Sequence, residues 1–372
     1  MLELSTADRK VSPPVIDIPR CYNAAHDLIE RNLRAGRQDK PAFIDDNGVY
    51  TYAEVAHRTS AFANVLTQLG VVAEQRILMC IHDTIDFPTV FLGAIKAGVV
   101  PIAVNTLLTQ GDYEYMLTDS GARIAVVSEA LLPLFRPLLG KVPTLERILV
   151  AGSNQGPDGL AALLKQASGE FEVVETSRDA PCFWLYSSGS TGAPKGTVHI
   201  HSSLIQTAEL YALPILGISE DDIIFSAAKL FFAYGLGNGL TFPMAVGATA
   251  VLMAERPTPA AVFTRLQQHQ PSIFCGVPTL YASMLANPEL PARTALNLRR
   301  CISAGEALPE EIGKRWSRHF GLDILDGIGS TEMLHIFLSN RSGEVRYGTT
   351  GKPVPGYAVR LVDEEEIGRA HV

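Results

Sequence analysis

Residues Tyr186 to Gly196 read Tyr-Ser-Ser-Gly-Ser-Thr-Gly-Ala-Pro-Lys-Gly, directly after an apolar run from Cys182 to Leu185. Glycines such as Gly189 and Gly192 let the backbone approach a bulky anion, and successive N–H groups in a turn form an anion-binding concavity. The hydroxyls of Ser187, Ser188, Ser190 and Thr191 add donors, and Lys195 adds a mobile point charge suited to phosphate. A polyphosphate, above all that of ATP, is the guest such a loop fits. The loop is not a Walker A loop, which carries Ser or Thr directly after its lysine; here Lys195 stands between Pro194 and Gly196. A flexible Gly/Ser linker is the plain alternative. The Pro-Lys-Gly ending and the strand-like run Thr197 to Ile200 behind it weigh against that.

Three further segments carry chemistry. In Asp326 to Glu332, Gly327 and Gly329 admit a ligand close to the chain around Ile328. Ser330 stands next to Thr331, which offers a donor to phosphate, and Glu332 is a hard oxygen ligand suited to Mg²⁺. That ion would neutralise charge on a departing pyrophosphate. A solvated glutamate is the commoner fate of a lone Glu, but the adjacent hydroxyls and the loop at Tyr186 favour the ligand role. Ser303, Ala304, Gly305 and Glu306 form a small-residue turn against which a flat adenine ring fits, or else an ordinary strand–helix turn. Lys229 to Gly237 sets aromatic residues before glycines: Phe232, Ala233, Tyr234 and Gly235 read as one wall of a flat apolar slot, whereas Leu230 and Phe231 read equally well as core. His335 and Ile336 follow Glu332 closely, and a lone histidine is as often a core residue as a functional one. His199 and His201 alternate onto one face of a strand. No HExxH or Cys/His cluster points to zinc.

The run Ser-Ser-Gly-Ser-Thr-Gly-x-Pro-Lys-Gly, with the three segments in order behind it, resembles the signature of the adenylate-forming (AMP-binding) superfamily. The segments around Phe232 and His335 resemble its benzoate–CoA ligase branch. The resemblance implies AMP-forming ligation of an aromatic carboxylate, benzoate first, to coenzyme A through an aryl-adenylate, with Mg²⁺ and ATP. Hydroxy- or aminobenzoate–CoA ligation and a catalytically incompetent nucleotide-binding fragment are the alternatives. It implies catalytic roles for Lys195, Thr331 and Glu332, with Glu332 on the metal. ATP contacts are implied for 187–192, Lys195, 303–306 and 326–331. The aryl group falls to Phe232, Ala233, Tyr234, Gly235, Gly327, His335 and Ile336, with His335 near the carboxylate end.

Those residues must be carried by a fold. At 372 residues, 47% hydrophobic and 19% charged, the chain has ample material for a core. Short apolar runs alternate with helical patterns, predicting an α/β fold with largely parallel strands. Thr51 with Glu54 is a capping box opening a helix to about Leu69, stopped by Gly70. Strands are expected at Arg76 to Ile81, Val99 to Val104, Ile124 to Val127, Ile223 to Ala227, Thr249 to Met253, Ser272 to Cys275 and Arg299 to Ile302. Helices are expected at Phe87 to Ala97, from Thr109 to near Gly121, and at Pro259 to His269. A further helix, Pro309 to Phe320, opens with proline and two glutamates. The Gly- and Ser-containing stretch Gly152 to Gly159 predicts a linker between two α/β lobes, 1–151 and 160–345, those of the family's large N-terminal domain. Residues 346–365 read as the start of an incomplete β-rich third subdomain.

A net charge of −8 argues against nucleic acid or an anionic membrane as partner. Five scattered cysteines without CxxC spacing favour a reducing, cytoplasmic setting. Phe91 to Val104, interrupted by Lys96 and Pro101, is too short to span a bilayer. Oligomeric state leaves no signature in the sequence. The resemblance also implies a mobile C-terminal domain, expected here to be absent. The tail Glu366 to Val372 matches one reading frame of a common sequencing-adapter oligonucleotide (GAG ATC GGA AGA GCA CAC GTC) and is read as adapter read-through.

Overall fold

A computed structural model describes residues 2–153, 155–187 and 193–360. The expectations for 188–192, 361–365 and 366–372 therefore lie outside the described residues.

Two sheets organise the chain. The six-stranded sheet runs, edge to edge, Lys195–Ile200, Pro181–Ser187, Val100–Ala103, Arg76–Cys80, Ile124–Ser128 and Arg147–Ala151. All its pairings are parallel except the Lys195–Ile200 hairpin edge. The nine-stranded sheet runs Lys352–Pro353, Ile336–Ser339, Ile324–Gly329, Arg300–Ser303, Ile273–Gly276, Ile223–Ser226, Thr249–Val251, Pro41–Asp45 and Gly48–Thr51. Its centre is parallel and both edges are antiparallel. Parallel strands are covered on both faces, which is why Ile124–Ser128 and Ile273–Gly276 are buried along their whole length.

Local signals place the helices. The Thr51 capping box opens helix Tyr52–Gln68, and Gly70 follows it at φ 71°. A second box, Thr109 with Asp112, opens Gln110–Ser120, which Gly121 closes in the left-handed region. Helix Asp86–Lys96 is buried on every side. One continuous core joins it to both sheets, from Met79 and Val126 in the first to Ile224 and Ala250 in the second.

The sheets exchange segments. Pro181–Ser187 and Lys195–Ile200 complete the first sheet although they follow residue 160, and the hairpin 41–51 completes the second although it precedes 151. Residues 152–159 thus lie inside the connection between two strands of one sheet and do not separate two lobes. Strand pairing across long sequence separations, invisible to composition, decides this arrangement.

Candidate active site

In each sheet the strand order reverses beside a central strand. For the nine-stranded sheet this happens at Ile223–Ser226, whose neighbours are Thr249–Val251 and Ile273–Gly276. Crevices at the carboxyl ends of strands at such a reversal are where open α/β sheets bind ligands. A cavity of about 290 Å³ lies there. It is lined by Ala228, Phe232, Ala233, Tyr234, Val277, Ala304, Gly305, Gly329, Ser330, Thr331, His335 and Ile336. The aromatic segment, the small-residue turn and the Ser330–Ile336 segment therefore meet in one place. Gly235 and Gly327 are not in the lining.

The wall is held from behind. Ala233–Leu236 is a short helix, and the Tyr234 hydroxyl lies 3.1 and 3.2 Å from the carbonyls of Gly276 and Ile302, which share its one proton. Its ring faces the cavity while its polar end is spent on two strand ends. His335 is buried, with its ring 5.7 Å from Tyr234, 4.9 Å from Tyr211 and 4.5 Å from Phe242. Neither ring nitrogen has a hydrogen-bond partner of ordinary geometry among the described residues. Burial lowers its pKa to about 3, with the Tyr234 carbonyl opposing, so the imidazole is neutral. Gly237 makes room for it: a Cβ there would stand 2.5 Å from His335 Cδ2.

Glycine serves packing as well in the strand Ile324–Gly329. A Cβ on Gly327 would meet Ile336 at 2.8 Å and the Leu338 carbonyl at 2.9 Å, and one on Gly329 would meet the His335 carbonyl at 2.5 Å. Both glycines thus serve the antiparallel pairing with Ile336–Ser339. Asp326 is not in the cavity lining and accepts the Leu308 N–H of the 303–308 turn at 3.4 Å. Burial raises it to about 6, and Leu308 and Ser303 oppose that rise. Gly305, at φ 91°, lets this turn double back, and Glu306 and Ile328 face solvent.

On the other side stands the glycine–hydroxyl loop. Its ends, Ser187 and Lys195, pair across the antiparallel ladder. Helix Gln110–Ser120 grips both flanks: the Tyr186 hydroxyl donates to Asp119 at 2.6 Å, and the Tyr115 hydroxyl donates to the Pro194 carbonyl at 3.1 Å. Ser188, Gly189, Ser190, Thr191 and Gly192 lie outside the described residues. Glu332 is exposed, and its carboxyl is held below its usual range by its own backbone N–H, the hydroxyls of Ser330 and Ser187, and nearby His199. Ser187, Ser330 and Glu332 supply hard oxygens at one point. A single protein carboxylate suits Mg²⁺, which typically takes one or two carboxylates and completes its shell with substrate phosphates and water.

The two loop histidines part company. A bulge between His199 and Ile200 breaks the alternation expected to place them on one face. His199 stacks on Phe183 at 4.9 Å beside Thr331 and Glu332. His201 leaves the strand, and its Nδ1 accepts the Ala24 N–H at 3.1 Å. Burial lowers both to about 4. Sequence reasoning missed Ala228, Val277, Tyr211 and Phe242. Ala228 lies just past the reversal strand Ile223–Ser226 and Val277 follows its neighbour Ile273–Gly276, so both could have been found from that topology.

The model of the AMP-binding enzyme family matches residues 29–370. The chain belongs to the AMP-binding enzyme family. Among AMP-binding enzymes, a benzoate–CoA ligase of Thauera aromatica is 69% identical over 366 residues, covering 98% of this chain and 69% of that protein. The crystal structure of a benzoate CoA ligase from Burkholderia xenovorans LB400 matches with TM-score 0.86 and 54% identity, over 92% of this chain and 68% of that one. The anthranilate CoA ligase AuaEII, solved with anthranoyl-AMP, matches with TM-score 0.90 and 37% identity, over 94% and 68%. The chain thus spans about two thirds of the length of these AMP-binding enzymes. No helix among the described residues is long and apolar enough to cross a membrane.

Proposed function

We propose that this AMP-binding enzyme joins an aromatic carboxylate, benzoate first, to coenzyme A through an aryl-adenylate made from ATP. One observation carries the reading. The cavity of about 290 Å³ is walled by Phe232, Ala233, Tyr234, Val277 and a neutral His335, and opens onto Gly329, Ser330 and Thr331. An apolar slot whose mouth is lined by hydroxyls suits an aryl carboxylate with its ring inside and its charge at the mouth.

In the first half-reaction a carboxylate oxygen attacks the α-phosphorus of ATP. An O–P bond forms, the α–β bridge breaks, and pyrophosphate leaves. In the second, the CoA thiolate attacks the acyl carbon and AMP leaves with the electron pair of the C–O bond. A carboxylate is already nucleophilic, so no general base is required, and the work is positioning and charge stabilisation. The slot orients the ring, and neutral His335 completes its floor without bringing in a charge. Thr331 offers a hydroxyl to the α-phosphate. Lys195 and the loop it closes take the outer phosphates. When bound, Mg²⁺ would offset the charge of the pyrophosphate, and Glu332 with Ser187 and Ser330 would hold it.

Aminobenzoate is the second reading, favoured by the AuaEII match and by the His335 ring nitrogens, which have no hydrogen bond of ordinary geometry among the described residues and could meet a ring substituent. ATP–pyrophosphate exchange over benzoate, hydroxybenzoates, anthranilate and fatty acids separates these. Benzoate should support the fastest exchange; exchange with fatty acids alone would sink the aryl reading. ATP binding without exchange on any acid would leave a nucleotide-binding chain.

A further inference from the structure

We propose that Asp83 is a positioning residue for the aryl pocket, reaching from the six-stranded sheet to hold the segment that forms the pocket wall. The inference rests on the aryl-acid reading above and extends it to a residue outside the cavity lining.

Asp83 lies just past the strand Arg76–Cys80, where the order of the first sheet reverses, and it is 3% exposed. Both its carboxylate oxygens lie 3.3 Å from the Leu230 backbone nitrogen, 147 residues away in sequence. Leu230 and Phe231 are buried, and Phe232, Ala233 and Tyr234 follow directly as cavity wall. Preceding them, Lys229 sends its ammonium to the carbonyls of Met253, Ala254 and Glu255, past the end of Thr249–Val251. The segment is thus fixed at two consecutive residues, by Lys229 to its own sheet and by Leu230 to the other.

The surroundings explain why a carboxylate stands there. A buried carboxylate is costly unless paired and hydrogen-bonded, and apolar packing would usually serve stability better. Burial pushes Asp83 up to about 7, while Lys229 and the Leu230 N–H pull it down. The other charged and titratable groups nearby are His82 on its own segment and, behind Lys229, Glu255, Arg265 and Asp46. What the costly group supplies is a fixed acceptor for one N–H at the entrance of the wall. Its effect should therefore appear in aryl-acid binding and not in nucleotide binding.

The test titrates benzoate, and separately ATP, into the 372-residue chain and its Asp83→Asn and Asp83→Ala variants by calorimetry. Asp83→Asn, which keeps an acceptor, should hold benzoate affinity within about 3-fold, whereas Asp83→Ala should weaken it by roughly 10-fold or more. Both should bind ATP within about 2-fold of wild type. Asp83→Ala binding benzoate normally, or losing benzoate and ATP together, would overturn the inference. A wild-type chain that binds ATP but no benzoate would instead remove the aryl-acid reading, and this inference with it. Should Asp83→Ala not fold, hydrogen exchange of residues 229–236 in Asp83→Leu, which fills the same space without an acceptor, decides. Faster exchange there, with Val100–Ala103 unchanged, supports the inference, and identical exchange overturns it.

Discussion

The Tyr211 ring lies 4.9 Å from the His335 imidazole, centroid to centroid, and among the described residues the Tyr211 hydroxyl and both imidazole nitrogens lack a hydrogen bond of ordinary geometry, with the Ser339 hydroxyl and the Tyr234 carbonyl their nearest polar neighbours. Orphan polar atoms this deep mark a place where water or ligand completes the structure. Tyr211 comes from the irregular helical segment Ala208–Leu216, so the packing behind His335 depends on an element outside every site motif.

His335 should impose a pH dependence on stability. The unfolded imidazole takes a proton near pH 6.5, whereas the buried one resists until about pH 3. As pH falls below 6.5, the unfolded state binds the proton first, and stability declines at up to ~1.4 kcal/mol per pH unit from this group. His199 and His201 add contributions of the same sign. Urea unfolding at pH 5 and 7 should show a smaller pH difference for His335→Phe than for wild type. An unchanged difference would mean that His335 is not buried and neutral.

Glu332→Gln should leave the fold intact, since the side chain is exposed. Pyrophosphate exchange should fall by about 10²–10³-fold, the usual effect of removing one charge-stabilising group. Calorimetric benzoate affinity should hold. Chelating Mg²⁺ should abolish exchange in wild type and leave that affinity unchanged.

Gly237→Ala tests the tightest point under the floor. Its methyl would stand 2.5 Å from His335 and 2.9 Å from Phe242. Overpacking of this kind costs ~1–3 kcal/mol. Thermal unfolding should report the loss, and benzoate affinity should fall with it because the imidazole has to shift into the slot. Wild-type values for both would show that the floor has slack.

Lys195→Ala separates binding from scaffolding at the phosphate loop. Lys195 is exposed at the strand edge, so stability should stay within about 0.5 kcal/mol of wild type. The KM for ATP in the exchange assay should rise roughly 10-fold, and the KM for benzoate should change little. Equal increases in both would place the lysine elsewhere in the mechanism.

Much of this was legible because the signals are local. The capping boxes at Thr51 and Thr109 fix helix starts within a few residues of chain, and the turns at Ser303 and Ser330 announce themselves by composition. What stayed hidden depends on contacts between distant segments. Gly327 and Gly329 suggested ligand approach; Gly329 does line the cavity, and the missing side chains of both also make room for Ile336, Leu338 and His335. Asp326 suggested a ligand contact, and its brace on the turn at Leu308 left no mark in that motif. Ala208–Leu216, with Pro214 inside it, departs from the 3.6-residue repeat, so periodicity did not single out Tyr211.

The exchange of segments between the sheets has a consequence for biosynthesis. The Thr249 hydroxyl donates to the Pro41 carbonyl across 208 residues, and Pro41–Asp45 pairs with Thr249–Val251. At ribosomal speed the hairpin 41–51 waits roughly 10–40 s for that partner strand to be made. Through that interval it offers an unpaired strand edge to any neighbouring chain. Rescue by chaperones, or growth at low temperature, should therefore raise the yield of this protein more than stabilising substitutions near its pocket.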